Sequence, residues 1–358
     1  MADPAGATNY ITITADRTKL AASMPDAGNT FAADLVIDQA AAINYEGGAQ
    51  TFIDGLLANC TDLRVFTDDT LIEVPFGVKQ FSQVAGSRKL ILGLGIPSTA
   101  PLLSSADTTY RLYRGCTGGT FENKAGVVPT ADGWVGCWPG EDPSGNLTDW
   151  TAGGYHGVPA GTPTYSQVGQ VGGAVGCDDT ADGFVVTGAN LSSATYSWSL
   201  WLKPTNAGSV SCIVFNQLNA MQCYLSSLRP RYADGFVDRG ATALLTVNEW
   251  NHVVWQVAGL QVSFYVNGAS AGSGALVQQF APTTFTWGGW WGDPDSQYDE
   301  MCIENLARSA NWVTSYYNMT SANGAFWTVG DVVAVGGGGR IIRPMLYRSG
   351  PAIKGVIG

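Results

Sequence analysis

Residues 10–14 alternate apolar and polar side chains, and residues 31–37 form a largely apolar run. These are the two patterns expected of strands that lay one or both faces on a core. Residues 63–66, 72–78, 90–94 and 108–113 continue in the same way, each run closed by Asp, Gly, Ser or Pro residues that turn the chain. One short helix is predicted near 50–57. A Gly- and Pro-rich stretch across 115–133 interrupts the pattern, and short runs resume at 134–138, 198–202, 250–257 and 262–266 with turn signals between them. Residues 310–317 have the apolar spacing of a short helix. Beyond Gly330 the chain turns apolar, glycine-rich and basic, with Gly336 to Gly339 as a flexible joint. The pattern predicts an all-β protein of two tandem β-sandwiches followed by an extended C-terminal tail. Its parts are an N-terminal domain over 1–120, a linker over 121–132, a second domain over 133–330 and an arm over 331–358.

Composition supports this reading. The chain of 358 residues is long enough for a core in each half. With 46 Gly, 11% aromatic and only 13% charged residues, it favours short strands and tight turns over long salt-bridged helices. A net charge of −11 argues against a nucleic-acid partner, which needs clustered cations. The charge is uneven: residues 332–358 hold Arg340, Arg343, Arg348 and Lys354 and no acid, leaving 14 basic against 29 acidic residues elsewhere. An acidic body with a basic tail can attract copies of itself or an acidic neighbour.

No apolar run approaches the length of a membrane span, so membrane insertion is not expected. The N-terminus shows neither a positive n-region nor an apolar h-region, so synthesis in the cytoplasm without export is expected, and the sequons at Asn59, Asn146, Asn190 and Asn318 are read as chance. Seven cysteines (Cys60, Cys116, Cys137, Cys177, Cys212, Cys223, Cys302) form no CxxC pair, which removes zinc ribbons and thioredoxin-like motifs. Buried free thiols are the first expectation and an intermolecular disulfide the second.

Trp250 and His252, followed by the Tyr265-Val266-Asn267-Gly268 turn, resemble the central signature of laminin-G-like, concanavalin A-like jelly rolls. Further matches fall in order: Trp134 to Trp138 for the opening strand, Tyr155-His156-Gly157 for a loop, and the glycine-rich turn at 169–174. Trp198 to Pro204 resembles an inner strand, and 298–312 the closing strand and helix. The resemblance covers about 133–328. Residues 61–69 and 109–113 are similar to a β-sandwich domain of unknown function often placed before such modules in bacterial and phage proteins. The resemblance implies a binding role. Cys137 and Cys177 depart from it by standing where larger apolar residues are usual.

Tests for catalysis come out negative. Gly268-Ala-Ser-Ala-Gly272 satisfies a nucleophile-elbow pattern but leads into no helix, so it reads as a hairpin exit. Two histidines, His156 and His252, give poor support to a triad or a multi-histidine metal site, and both are read first as structural. No Glu-x-Asp-x-Glu strand offers the paired acids of a jelly-roll glycosidase. An enzyme is therefore not expected.

Binding candidates are clearer. Trp290 and Trp291 beside an acidic turn suit stacking on sugar faces, whereas Trp287 alternates with Phe285 and is expected to point inward; His156 is a third carbohydrate-contact candidate. Asp293, Asp295 and Asp299 could supply oxygen ligands, which makes calcium the one cofactor the sequence raises. Arg340, Ile341, Ile342, Arg343, Tyr347 and Arg348 are the expected partner-docking arm, joining the chain to other copies and to other virion proteins. The leading expectation is a non-enzymatic structural or adhesion protein of a phage particle with a lectin-like outward domain and a surface glycan as partner. The alternative is a carbohydrate-binding module of a bacterial surface protein.

Overall fold

A computed structural model describes residues 3–24, 29–119, 121–179, 181–191, 195–206, 210–215, 222–234, 238–279, 282–289 and 295–336, with 210–215 as backbone alone. The first domain is built from β1 (Asn9–Ala15), β2 (Phe31–Asp38), β3 (Arg64–Thr67), β4 (Phe76–Ser82), β5 (Lys89–Ile96) and β6 (Thr108–Arg114). Alternation along β1 turns Ile11, Ile13 and Ala15 inward. One sheet holds β1, β6 and β3, and the facing sheet has the order β2-β5-β4. β4 starts at Phe76 rather than at 72, because Pro75 has no N–H for a ladder, and Glu73 makes only an isolated bridge to Phe66. The expected helix is α1 (Ala49–Asp54), which buries Ala49, Phe52 and Ile53.

The stretch expected as a linker is packed. It carries α2 (Lys124–Val127) and buries Val127 and Val128. Gly95 on β5 lies beneath it, where a Cβ would come within 2.5 Å of the Gly126 carbonyl oxygen, so glycine is what allows the approach.

The second domain follows as β7 (Trp134–Trp138), β8 (Val158–Ala160), β9 (Thr164–Val168), β10 (Gly173–Cys177), β11 (Gly183–Thr187), β12 (Thr195–Pro204), β13 (Val210–Phe215), β14 (Gln222–Ser226), β15 (Arg229–Ala233), β16 (Asp238–Gly240), β17 (Asn251–Ala258), β18 (Gln261–Val266), β19 (Ala269–Ala275), β20 (Thr284–Trp287) and β21 (Ser296–Glu304). One sheet has the order β19-β18-β17-β12-β21-β10-β9 with β7 also on β21, and the other the order β16-β15-β14-β13-β20-β11-β8. Between them Trp138, Trp198, Trp255, Phe285 and Trp287 form a buried aromatic core, Trp198 and Phe285 meeting edge-to-face at 4.9 Å. Trp287 and Phe285 thus point inward as their alternation predicts. Asn267 and Gly268 both take positive φ in the tight β18–β19 turn, and Ser270 falls within β19, so the Gly-Ala-Ser-Ala-Gly pattern makes a hairpin and no elbow. Neither expectation for the cysteines covers what Cys137 and Cys302 do: they face each other on β7 and β21 with Cα atoms 4.2 Å apart and form an intrachain disulfide. A spacing of 165 residues gave no cue to it. Cys60, Cys116 and Cys177 are free and buried, and Cys223 is buried.

After β21 the chain forms α3 (Ala310–Ser321), α4 (Asn323–Phe326), β22 (Trp327–Val329) and β23 (Val333–Ala334). Ser309 caps α3 by accepting the Trp312 N–H. Both β22 and β23 pair with β1, so the segment on either side of residue 330 completes the sheet of the first domain. The two domains share one apolar cluster, in which Trp312 of α3 meets Phe31 of β2 at 5.5 Å and Trp327 donates its indole N–H to the Asp34 carbonyl. β2 is therefore covered on both faces, which is why its sequence reads as a largely apolar run without alternation. Among the described residues no helix is long and apolar enough to cross a membrane.

Candidate functional site

At one rim of the second domain, β10 and β21 bring Cys177 opposite Ser296, and β12 brings Pro204 opposite the same residue. The chain ends just beyond these pairs enclose an open cleft of about 240 Å3 lined by Thr164, Gln167, Asp178, Thr205, Asp295 and Gln297 among others. The backbone N–H and the hydroxyl of Thr205 donate to the Asp295 carbonyl at 2.9 and 2.6 Å, fixing this side of the cleft. Across it, the Gln297 amide donates to the Gln167 side-chain oxygen at 3.3 Å, and the Thr164 hydroxyl to the Gly176 carbonyl. Behind the cleft, buried Asp182 accepts the Thr162 N–H at 2.5 Å through Oδ1. A hydrogen bond with Asp182, followed by burial and the Asp182 charge, raises the exposed Asp178 carboxyl above its ordinary range. The result is a surface of hydroxyls, amides and carboxylates, the groups that hydrogen-bond polyhydroxylated ligands.

The structure places the predicted site residues unevenly. Asp295 lines the cleft. Trp290, Trp291 and Asp293 lie outside the described residues, next in sequence to Asp295. Asp299 does not join Asp295. It is fully buried beneath the 169–172 turn, its Oδ2 accepting the Val171 N–H at 2.9 Å, so it fixes the closing strand. His156 is not part of the cleft lining; its Nδ1 accepts the Asp149 N–H at 3.0 Å and orders its own loop. His252 is structural as expected, buried by ring contacts with Trp201, Tyr316 and Tyr317 and without a side-chain hydrogen bond. Arg340, Ile341, Ile342, Arg343, Tyr347 and Arg348, the whole docking arm, lie outside the described residues.

Sequence reasoning missed Asp178, Asp182, Gln167 and Gln297. The acidic pair after the end of an apolar run was the available signal, but it also reads as an ordinary turn. Calcium takes about six to eight oxygen ligands. Among the described residues no group of three or more His, Cys, Asp or Glu side chains is arranged to hold a metal, and Asp293 lies outside them.

Residues 178–314 match the family model described as the concanavalin A-like lectin/glucanases superfamily, and the second domain is a jelly roll of this class. No curated protein matches the chain. Similar solved structures include the botulinum neurotoxin serotype D binding domain, at 12% identity and a TM-score of 0.42, covering 52% of this chain and 51% of that one. Domain 4 of AbnA, a GH43 extracellular arabinanase from Geobacillus stearothermophilus, in complex with arabinotriose, is 20% identical with a TM-score of 0.43, covering 52% of this chain and 98% of that one. The binding domain of Paraclostridial Mosquitocidal Protein 1 is 16% identical with a TM-score of 0.42, covering 52% of each chain. The chain spans about half the length of the toxin binding domains.

Proposed function

We propose that this chain is a non-enzymatic adhesion protein of a phage particle whose jelly roll binds a surface glycan through the rim cleft. The observation that carries the reading is the cleft itself: Thr164, Gln167, Asp178, Asp295 and Gln297 present polar groups in an open groove on a lectin-class fold. Binding rather than hydrolysis is favoured because Asp178 owes its raised proton affinity first to its hydrogen bond with Asp182 and stands in an exposed position. A general acid of a glycosidase is tuned by an enclosed site. Assignment to a virion rests on the resemblance of the domain pair and on the basic residues Arg340, Arg343 and Arg348 set against an acidic body. In this reading the arm joins copies of the chain and other virion proteins.

A glycan array of bacterial surface polysaccharides, probed with the full chain, tests the binding. Gln167→Ala with Gln297→Ala is expected to weaken binding about tenfold or more, the loss of one good hydrogen-bonding contact. Release of reducing sugar would reject the non-enzymatic reading, and an array with no bound glycan would reject the lectin reading. Mass in solution with and without residues 337–358 separates the two settings. An arm-dependent oligomer supports a virion building block, and a monomer in both cases a free-standing carbohydrate-binding module.

A further inference from the structure

Lys79 stands in the shared interior of the two domains. Its Nζ is 2.7 Å from Asp34 Oδ1 and also pairs with Glu300, and the three side chains are 2%, 5% and 4% exposed. Lys79 and Glu300 are both delivered by irregular backbone. Lys79 is the extra residue where the β4–β5 register slips between Val78 and Gln80, and Glu300 has φ near 50° where the β12–β21 register slips. A bulge re-aims a side chain, and a non-glycine residue at positive φ is held only against strain. On β5, Gly93 pairs with Asp34 on one side and Gly77 on the other, and the missing Cβ leaves the Trp150 ring its space.

The setting is apolar. Trp150, with Nζ 5.8 Å from its ring centroid, Trp134, Trp312 and Tyr316 wall a cavity of about 20 Å3, room for about one water. A buried ion pair at best breaks even against the cost of removing both charges from water. Here the single ammonium faces Asp34 and Glu300, with Glu141 and Asp299 close enough to feel its charge. Burial opposes the Lys79 ammonium, but Asp34 and Glu300 outweigh it and hold the amine above its ordinary range, so joining it to a carboxyl group requires that its proton first be passed on.

We propose that Lys79 and Asp34 are joined by an isopeptide bond from Nζ to Cγ, formed within the folded chain with Glu300 as the acid–base catalytic residue. In the first step a proton passes from the Lys79 ammonium through the Glu300 carboxyl group to Asp34, leaving a neutral amine and a neutral carboxylic acid. The amine nitrogen then attacks Cγ, forming the N–C bond as the C=O π pair moves onto oxygen. Glu300 takes a proton from the nitrogen and returns it to the Asp34 hydroxyl, the C–O bond breaks, and one water leaves. Amine and acid become amide and water, with no change of oxidation state and no co-reactant. Burial pushes Glu300 up to about 8, against the opposing pull of Lys79, so near neutral pH this carboxyl group can carry the proton it must pass on. Holding both reactants in contact removes the entropy cost that makes the same condensation unfavourable between free side chains.

Intact mass of the reduced, denatured full chain tests this. The wild type is expected one water lighter than its sequence, and digestion is expected to give a branched peptide joining Lys79 to Asp34. Lys79→Arg, which keeps the charge, is expected at full sequence mass. Glu300→Gln, checked for a native circular dichroism spectrum, is expected at full mass or to lose water far more slowly, with Glu300→Asp recovering part of the rate. The wild-type measurement stands even if a variant fails to fold. A wild type at full mass, or a lost water mapped to any other pair, including Lys79 with Glu300, overturns the proposal. So does a folded Glu300→Gln chain that forms the bond at the wild-type rate.

Discussion

At the scale of single residues, the clearest electrostatic consequence lies with His252. It is wholly buried among Trp201, Tyr316 and Tyr317, neither ring nitrogen has a hydrogen-bond partner, and burial pushes it down to about 3. Below about pH 6.5 the unfolded chain binds a proton at this histidine that the folded chain refuses, so the folded state loses stability as pH falls from there toward 3. Glu141 acts in the opposite sense. Burial pushes it up to about 7, so the folded chain keeps a proton there that the unfolded chain releases above its ordinary range. Its contribution is present below about pH 4.5 and lost as pH rises to about 7. The two effects overlap in wild type, and a variant separates them. His252→Phe keeps the ring packing and removes the titration, so it is expected to lose about 2 kcal/mol less stability than wild type between pH 7 and pH 4.5. Urea unfolding of both proteins at the two pH values measures the difference, and equal losses would show that His252 is not buried neutral.

At the scale of elements, β22 carries more than its three residues suggest. Trp327 is 1% exposed, meets Tyr110 at 6.3 Å and donates to the Asp34 carbonyl, so the strand both fills the first domain and ties it to the end of the second. Trp327→Ala is expected to cost about 3–5 kcal/mol, the usual range for emptying an aromatic site in a core. Denaturant titration gives that number, and a loss below about 1 kcal/mol would mean the site collapses or is less packed than it looks. This element also shows what the sequence could and could not disclose. The alternation of β1 and the spacing of α3 were legible because their periods match the faces they bury, and β17 because its run is buried on both faces. Three residues of β22 and two of β23 carry no period, and their partner lies at the opposite end of the chain. β4 was misplaced by four residues at its start because Pro75 breaks a run whose apolar pattern continues. At the rim cleft, Asp295 was legible as part of an acidic loop. Asp178 and Gln167 were not, since their common position depends on how β9, β10 and β21 are ordered in the sheet, and no local pattern encodes that order.

At the scale of the whole molecule, the boundary between the sandwiches behaves as an interior. Phe31, Leu35 and Leu94 of the first domain belong to one apolar cluster with Trp134, Trp150, Trp312 and Tyr316, all from beyond residue 133, and Asn323 satisfies the Val36 N–H and the Asp34 carbonyl at 2.9 and 2.6 Å. Separating the domains would expose large aromatic surface, at roughly 25 cal/mol for each Å2, and would strand Lys79 and Glu300 apart. Neither half is then expected to survive the loss of the other under conditions where the intact chain is folded. Unfolding of the full protein in urea should therefore give one transition, with tryptophan fluorescence, which reports mainly on the core of the jelly roll, coinciding with far-ultraviolet circular dichroism, which reports on both sheets of each domain. Two separated transitions would show that the shared cluster contributes less than either core alone. Coincident transitions with a midpoint that falls in Trp312→Ala, a residue of α3 packed on Phe31, would place the coupling in the interface itself.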